Sequence, residues 1–228
     1  MKQIKLLILF CLLAMQAMAQ DAKPVMAVLG DSYSTFEGYM HPADNLSWYR
    51  PERVKEGKTD VDKVEQTWWW LLANENDLEL GVNNSYSGAT ISHRGYEGKD
   101  YSDRSYITRS ADLGNPDYIL VFGGTNDSWA GTKMGKYVWK NQTDAQLRTF
   151  RPSVAKVMQL IKKTYPKAKA YYIINTELRP EVAEAFKVCA KHYGVTAIEL
   201  HDIDKISGHP SVKGMRQIAD QLTEAIFK

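Results

Sequence analysis

Short apolar runs of the kind that form buried strands alternate along this chain with longer stretches of helical period, and that alternation restricts the fold more than any other feature. The runs are Val25 to Gly30, Leu78 to Val82, Asp117 to Phe122, Lys169 to Asn175 and Val195 to Leu200. Their cores lack a regular apolar-polar alternation, as expected of strands covered on both faces. Between them, Thr67 to Asn76 carries Trp68, Trp69, Trp70, Leu71 and Leu72 and predicts a short buried helix. Neighbouring helical residues sit about 100° apart, so the three tryptophans cannot share one face. Asp144 to Tyr165 has Leu147, Phe150, Val154, Val157, Met158 and Ile161 at helical spacing, with Pro152 starting the regular part. Pro180 to Tyr193 predicts a helix closed by Gly194, and Pro210 to Phe227 a last one. Strand and helix in alternation imply a parallel sheet between two helical layers, a three-layer α/β/α sandwich.

Residues 1–19 stand apart from this pattern. Lys2 and Lys5, the apolar run Leu6 to Met15 and the small residues Ala17 and Ala19 predict a signal peptide cut after Ala19. The run is too short to span a membrane, and Cys11 lies inside it, so no membrane anchor is expected. The mature chain, 20–228, is expected to be one exported domain, periplasmic or secreted. Only Cys189 remains in it, among Ala185, Phe186, Val188 and Ala190, which suits a buried packing thiol. A formal net charge of +2 with interspersed signs argues against nucleic acid as a partner. No metal-ligand spacing is present, so neither metal nor cofactor is implied.

The chemistry-bearing residues fall where the first three strands end. Ser32 follows the first in Gly30-Asp31-Ser32, Gly88 follows the second in a serine-rich turn, and Asn126 follows the third after Gly123 and Gly124. In a parallel sheet these ends share one edge. Ser32 can act as a nucleophile, with its own N–H, the Gly88 N–H and the Asn126 amide as donors to an oxyanion. His209, on the loop before the last helix, can serve as base.

The order Gly30-Asp31-Ser32, Gly88, Gly124-Thr125-Asn126-Asp127, His209-Pro210 resembles the SGNH, or GDSL-type, hydrolases, over nearly the whole mature chain. The resemblance implies a flavodoxin-like five-stranded parallel sheet and metal-free ester hydrolysis. It further implies Ser32 as nucleophile, His209 as general base, and Gly88 with Asn126 in the oxyanion hole. One position departs from the family pattern: where an aspartate usually stands three residues before the histidine, this chain has Ile206. Asp204 is the preferred candidate to orient the imidazole. Asp202 or Glu177 could do so instead, and a Ser–His dyad held by a backbone carbonyl is the remaining option.

The segment Phe36 to Gln66 is too long for a simple connection. Its Tyr39, His41, Trp48, Tyr49, Arg50 and Arg53, with Trp129 beyond Asn126, are expected to wall the site and to bind substrate through aromatic faces. A sugar ester carrying a small acyl group fits that wall. Alternatives are a lipid or thioester hydrolase, and a glycan-binding protein that has kept the fold without turnover. His93 and His201 flank the inferred mouth, and His192 reads as a surface residue at a helix end. Asp31, Asp127, Ser34 and Ser87 read as turn and hydrogen-bonding residues.

Overall fold

The computed structural model describes residues 22–228, so the expected signal peptide lies outside the described residues. Five parallel strands form one sheet: β1 (Val25–Gly30), β2 (Glu79–Ser85), β3 (Tyr118–Phe122), β4 (Lys169–Ile174) and β5 (Thr196–Glu199), in the order β2-β1-β3-β4-β5. This is the flavodoxin-like doubly wound order, and the crossover direction reverses between β1 and β3.

Both sheet faces are buried, and alternate residues of each strand serve opposite cores. On one face Ala27, Leu29, Ile119, Val121, Tyr172 and Ile174 meet α6 (Phe150–Thr164) and α7 (Pro180–Tyr193) through Phe150, Val154, Met158, Phe186 and Cys189. On the other, Met26, Val28, Leu120, Phe122, Ile173 and Ile198 meet α2 (Trp68–Glu75) and α8 (Val212–Phe227) through Trp68, Leu72, Met215 and Ile218. Cys189 is fully buried, and burial pushes its thiol up to about 12, which suits packing.

The remaining helices are short: α1 (Pro51–Lys55), α3 (Tyr106–Arg109), α4 (Thr125–Trp129) and α5 (Asp144–Leu147). The helix expected over Asp144 to Tyr165 is therefore two, broken where Thr149 turns extended at φ −125° and ψ 152°. Pro152 has no N–H to give a preceding turn, so it tolerates only the first turn of a helix and forces a restart there. The strand expected to stop at Val82 runs on through Asn83, Asn84 and Ser85, all buried. Their side chains are matched inside the fold: Asn83 donates to the Ser34 carbonyl at 3.0 Å and accepts from the Ser85 hydroxyl at 2.6 Å.

Candidate active site

Gly30 ends β1 under a steric requirement, since a Cβ there would lie 2.5 Å from Ser34 Cβ and Ser85 Oγ. The chain enters a tight 3₁₀ turn, Ser32–Ser34, capped by Asp31, whose Oδ1 accepts from the Tyr33 N–H at 3.0 Å. Ser32 is thereby held at the sheet edge, 3% exposed.

His209 reaches it from the far end of the sequence. A small antiparallel ribbon, β6 (Lys205–Ile206) with β7 (His209–Pro210), pairs Ile206 with His209 across the two-residue turn Ser207-Gly208. Both turn residues have positive φ, 51° and 77°, as a primed hairpin turn requires. The turn brings the Ser207 carbonyl 3.2 Å from Nδ1 of His209. A carbonyl only accepts, so Nδ1 carries the proton and Nε2 is bare. The Ser32 hydroxyl donates to Nε2 at 2.9 Å. Tyr33 adds a hydrogen bond of 2.5 Å to the Gly208 carbonyl, which fixes the hairpin over the serine turn.

Aromatic rings enclose the imidazole. Trp48 stacks on it at 3.6 Å and 7°, with Tyr33 at 5.2 Å and Trp129 at 5.9 Å. On the outer face of Trp48 lies the Arg53 guanidinium, 4.6 Å from the ring centroid. His209 is left 5% exposed. Burial pushes its pKa down to about 4, with the positive charges of Arg53 and Lys205 acting in the same sense against the Ser207 carbonyl. The imidazole is therefore neutral, as a base must be.

The loops that carry Gly88 and Asn126 are tied together. Gly88 sits at φ 83°, a conformation that favours glycine. Neither its N–H nor that of Ser32 donates to a turn, loop or side-chain acceptor among the described residues. The Asn126 amide donates to the Ala89 carbonyl at 3.0 Å, which keeps its nitrogen beside the Gly88 loop. Asp127, fully buried, accepts from the Ile91 N–H at 2.6 Å and from the Ser92 hydroxyl at 2.9 Å. The turn after β3 thus clamps the loop after β2.

The GDSL-like lipase/acylhydrolase family model matches residues 24–226. The chain belongs to that family. Among solved structures, a GDSL-like lipase of Bacteroides uniformis is 49% identical with a TM-score of 0.88, the match covering 90% of this chain and 96% of that one. A second, of Bacteroides ovatus, is 47% identical with a TM-score of 0.87, covering 91% and 99%. A family two carbohydrate esterase of Clostridium thermocellum shares the fold at 15% identity and a TM-score of 0.56, covering 90% of this chain and 64% of that one. No curated protein matches.

Within this GDSL-like fold, several candidate residues lie elsewhere than expected. The Asp204 carboxylate does not face His209; it accepts from the Ser211 hydroxyl, which in turn accepts from the Gly214 N–H and caps α8. Asp204 precedes a hairpin that folds back on itself, so its side chain ends on the α8 side. Asp202 pairs with His201 at 3.1 Å in solvent, and Glu177 pairs with Lys205 at 2.9 Å. Among the described residues no carboxylate lies within 4.0 Å of His209, and the Ser207 carbonyl is the acceptor on Nδ1.

The expected wall also divides. Trp48 and Trp129 flank His209, and Arg53 backs Trp48. Tyr49 is fully buried, donating to the Pro210 carbonyl at 2.9 Å, so it is a core residue and not a substrate contact. Tyr39 packs on Phe36, Trp69 and Trp70 rather than on His209. Arg50 lines a separate cavity of about 370 Å³ with Phe36, Pro51 and Val61. His41 lies 3.8 Å from Asp112, and His192 stacks on Trp139. His93 is half-buried, its Nε2 has no hydrogen-bond partner among the described residues, and burial pushes its pKa down.

Three residues of this neighbourhood escaped the sequence reading. Thr35 bridges its two halves, accepting from the Trp48 N–H at 2.9 Å and donating to the Ser32 carbonyl at 3.0 Å. Arg109 is buried and donates to the Gly30 carbonyl at 3.1 Å and to the Asn84 carbonyl, joining the ends of β1 and β2. Tyr96 donates to Asn126 Oδ1 at 2.7 Å. A helical Arg and a loop Tyr carry no sequence signal for such partners.

Proposed function

We propose that this chain is an exported serine esterase that removes small acyl groups, acetyl above all, from a carbohydrate. The observation that carries this reading is the contact of 2.9 Å between Ser32 Oγ and the bare Nε2 of His209. In the first step the Ser32 oxygen attacks the ester carbon while its proton passes to Nε2. The oxyanion so formed is held by the Ser32 and Gly88 N–H groups and the free Asn126 amide proton. The imidazolium is held by the Ser207 carbonyl and the stacked Trp48. It gives its proton to the departing alcohol, and a water activated by the same nitrogen then releases the acyl group from Ser32.

The narrow approach supports a small acyl group, since Ser32 is 3% exposed under the rings around His209. Support for a sugar leaving group comes from Trp129, which is 48% exposed beside His209 and offers a flat apolar face to sugar C–H groups. The likeness in fold to a carbohydrate esterase agrees with this.

Hydrolysis of p-nitrophenyl acetate, butyrate and octanoate, beside acetylated oligosaccharides, tests the reading. Activity should favour acetyl esters and vanish in Ser32→Ala. Trp129→Ala should raise KM for acetylated oligosaccharides about tenfold while leaving p-nitrophenyl acetate within about twofold. A preference for octanoate would overturn the acyl assignment. That no carboxylate among the described residues reaches His209 gives a second reading, a glycan-binding protein without turnover; a Ser32 that takes up an organophosphonate excludes it.

A further inference from the structure

Tyr96 stands on a segment whose conformation is unusually restricted. Residues 93–101 form a closed hairpin in which Gly95 donates to the Lys99 carbonyl at 2.9 Å, Tyr101 to His93 at 2.9 Å, and Arg94 bridges Asp100. Glu97 takes φ 56° inside it, a left-handed conformation that costs a non-glycine residue about 1 kcal/mol. Gly95 packs on the face of Tyr101, where a Cβ would come within 2.3 Å of the ring. Arg148, just after α5, ties the hairpin down through the Gly98 carbonyl at 3.2 Å and Asp100 at 3.3 Å.

From this scaffold the Tyr96 hydroxyl donates to Asn126 Oδ1 at 2.7 Å, while Asn126 Nδ2 donates to Ala89 at 3.0 Å. The amide is thus held at both ends, and two of its groups are spoken for. One Nδ2 proton remains, and its direction is fixed by the other two bonds. A donor on the amide oxygen also draws electron density from nitrogen, which makes the remaining N–H a stronger donor. Burial, and then the negative charge of Asp31, push the phenol up to about 12, so it keeps its proton over the working range.

We propose that Tyr96 is a positioning residue of the oxyanion hole, acting through Asn126 to aim and polarise the amide N–H that meets the developing negative charge. This rests on the esterase reading given above. Such a bond matters in the transition state and little in the ground state.

The test is a double-mutant cycle with Tyr96→Phe, Asn126→Ala and the double variant, on p-nitrophenyl acetate. Tyr96→Phe should lower kcat about tenfold with KM within about twofold, and shift the Asn126 side-chain amide resonances. In the Asn126→Ala background the same change should cost less than about twofold. If Tyr96→Phe proves unstable, fluorotyrosine at position 96, a stronger donor, should raise kcat, and an unchanged kcat in that variant would overturn the proposal. Equal losses in both backgrounds, or a kcat unchanged by Tyr96→Phe, would overturn the proposal and leave the esterase reading standing. A wild-type protein no faster than Ser32→Ala on any ester would sink both.

Discussion

At the scale of single residues, two buried groups tie the site to pH. His209 loses its proton near pH 4, so a reaction that uses it as base should show kcat/KM level from about pH 8 down to about pH 5, with the acid limb near 4 and not near the ordinary histidine value. Arg53→Gln removes a repelling charge and should move that limb upward; a limb near 6.5 in the wild type would show that His209 is solvated. Asp31 behaves in the opposite sense. Its carboxyl is pushed up to about 7, first by burial, and its Oδ2 has no hydrogen-bond partner among the described residues. Between the unfolded value of 3.8 and about 7 the folded chain holds a proton that the unfolded chain releases, so this group's contribution to stability falls as pH rises through that window. Asp31→Asn should therefore stabilise the protein at pH 8 relative to pH 4, by about 4 kcal/mol in thermal unfolding. An equal effect at both pH values would mean that Asp31 is not buried as a charge.

At the scale of elements, the site depends on turns that only certain residues can make. α4 starts at Gly124, which takes φ 91°, and a Cβ there would lie 2.7 Å from the Phe186 ring. Gly124→Ala combines a left-handed strain with a clash in the core. It should cost about 1–3 kcal/mol of stability, and it should also lower kcat, because α4 carries Asn126. Thermal unfolding and esterase assays on one preparation check both; unchanged stability would contradict the packing described. The His209 hairpin works in the same way. A Ser-Gly pair supplies the positive φ values, and the turn it forms puts a carbonyl where the family pattern has a carboxylate. The dipeptide is a turn signal in the sequence, but which of its groups faces the imidazole is decided only by the ribbon's register.

For the molecule as a whole, the sheet and its edge were legible because they rest on periodicity and on the rule that parallel strands gather their ends. Ser32 and His209 meet across 177 residues, and Asn126 reaches the loop after β2 through the Ala89 carbonyl, so contacts between separate stretches follow from the order of the strands. What escaped was set by packing across long sequence distances. Nothing local distinguishes Tyr49, sealed under Pro210, from Trp48, its neighbour on the imidazole. Likewise the Asp204 carboxylate is drawn to the Ser211 cap by α8, a competition that spacing does not reveal. Tyr96 meets Asn126 across 30 residues through a hairpin with no apolar period. Activation of Ser32 by His209 without an orienting carboxylate can be measured as kcat/KM on p-nitrophenyl acetate for His209→Ala beside Asp204→Asn, Asp202→Asn and Glu177→Gln. The expected result is a loss of at least about 10²-fold in His209→Ala and a change within about threefold in each acid variant. A fall of about 10⁴-fold in any one of the acid variants, the cost of losing a true orienting carboxylate, would contradict it.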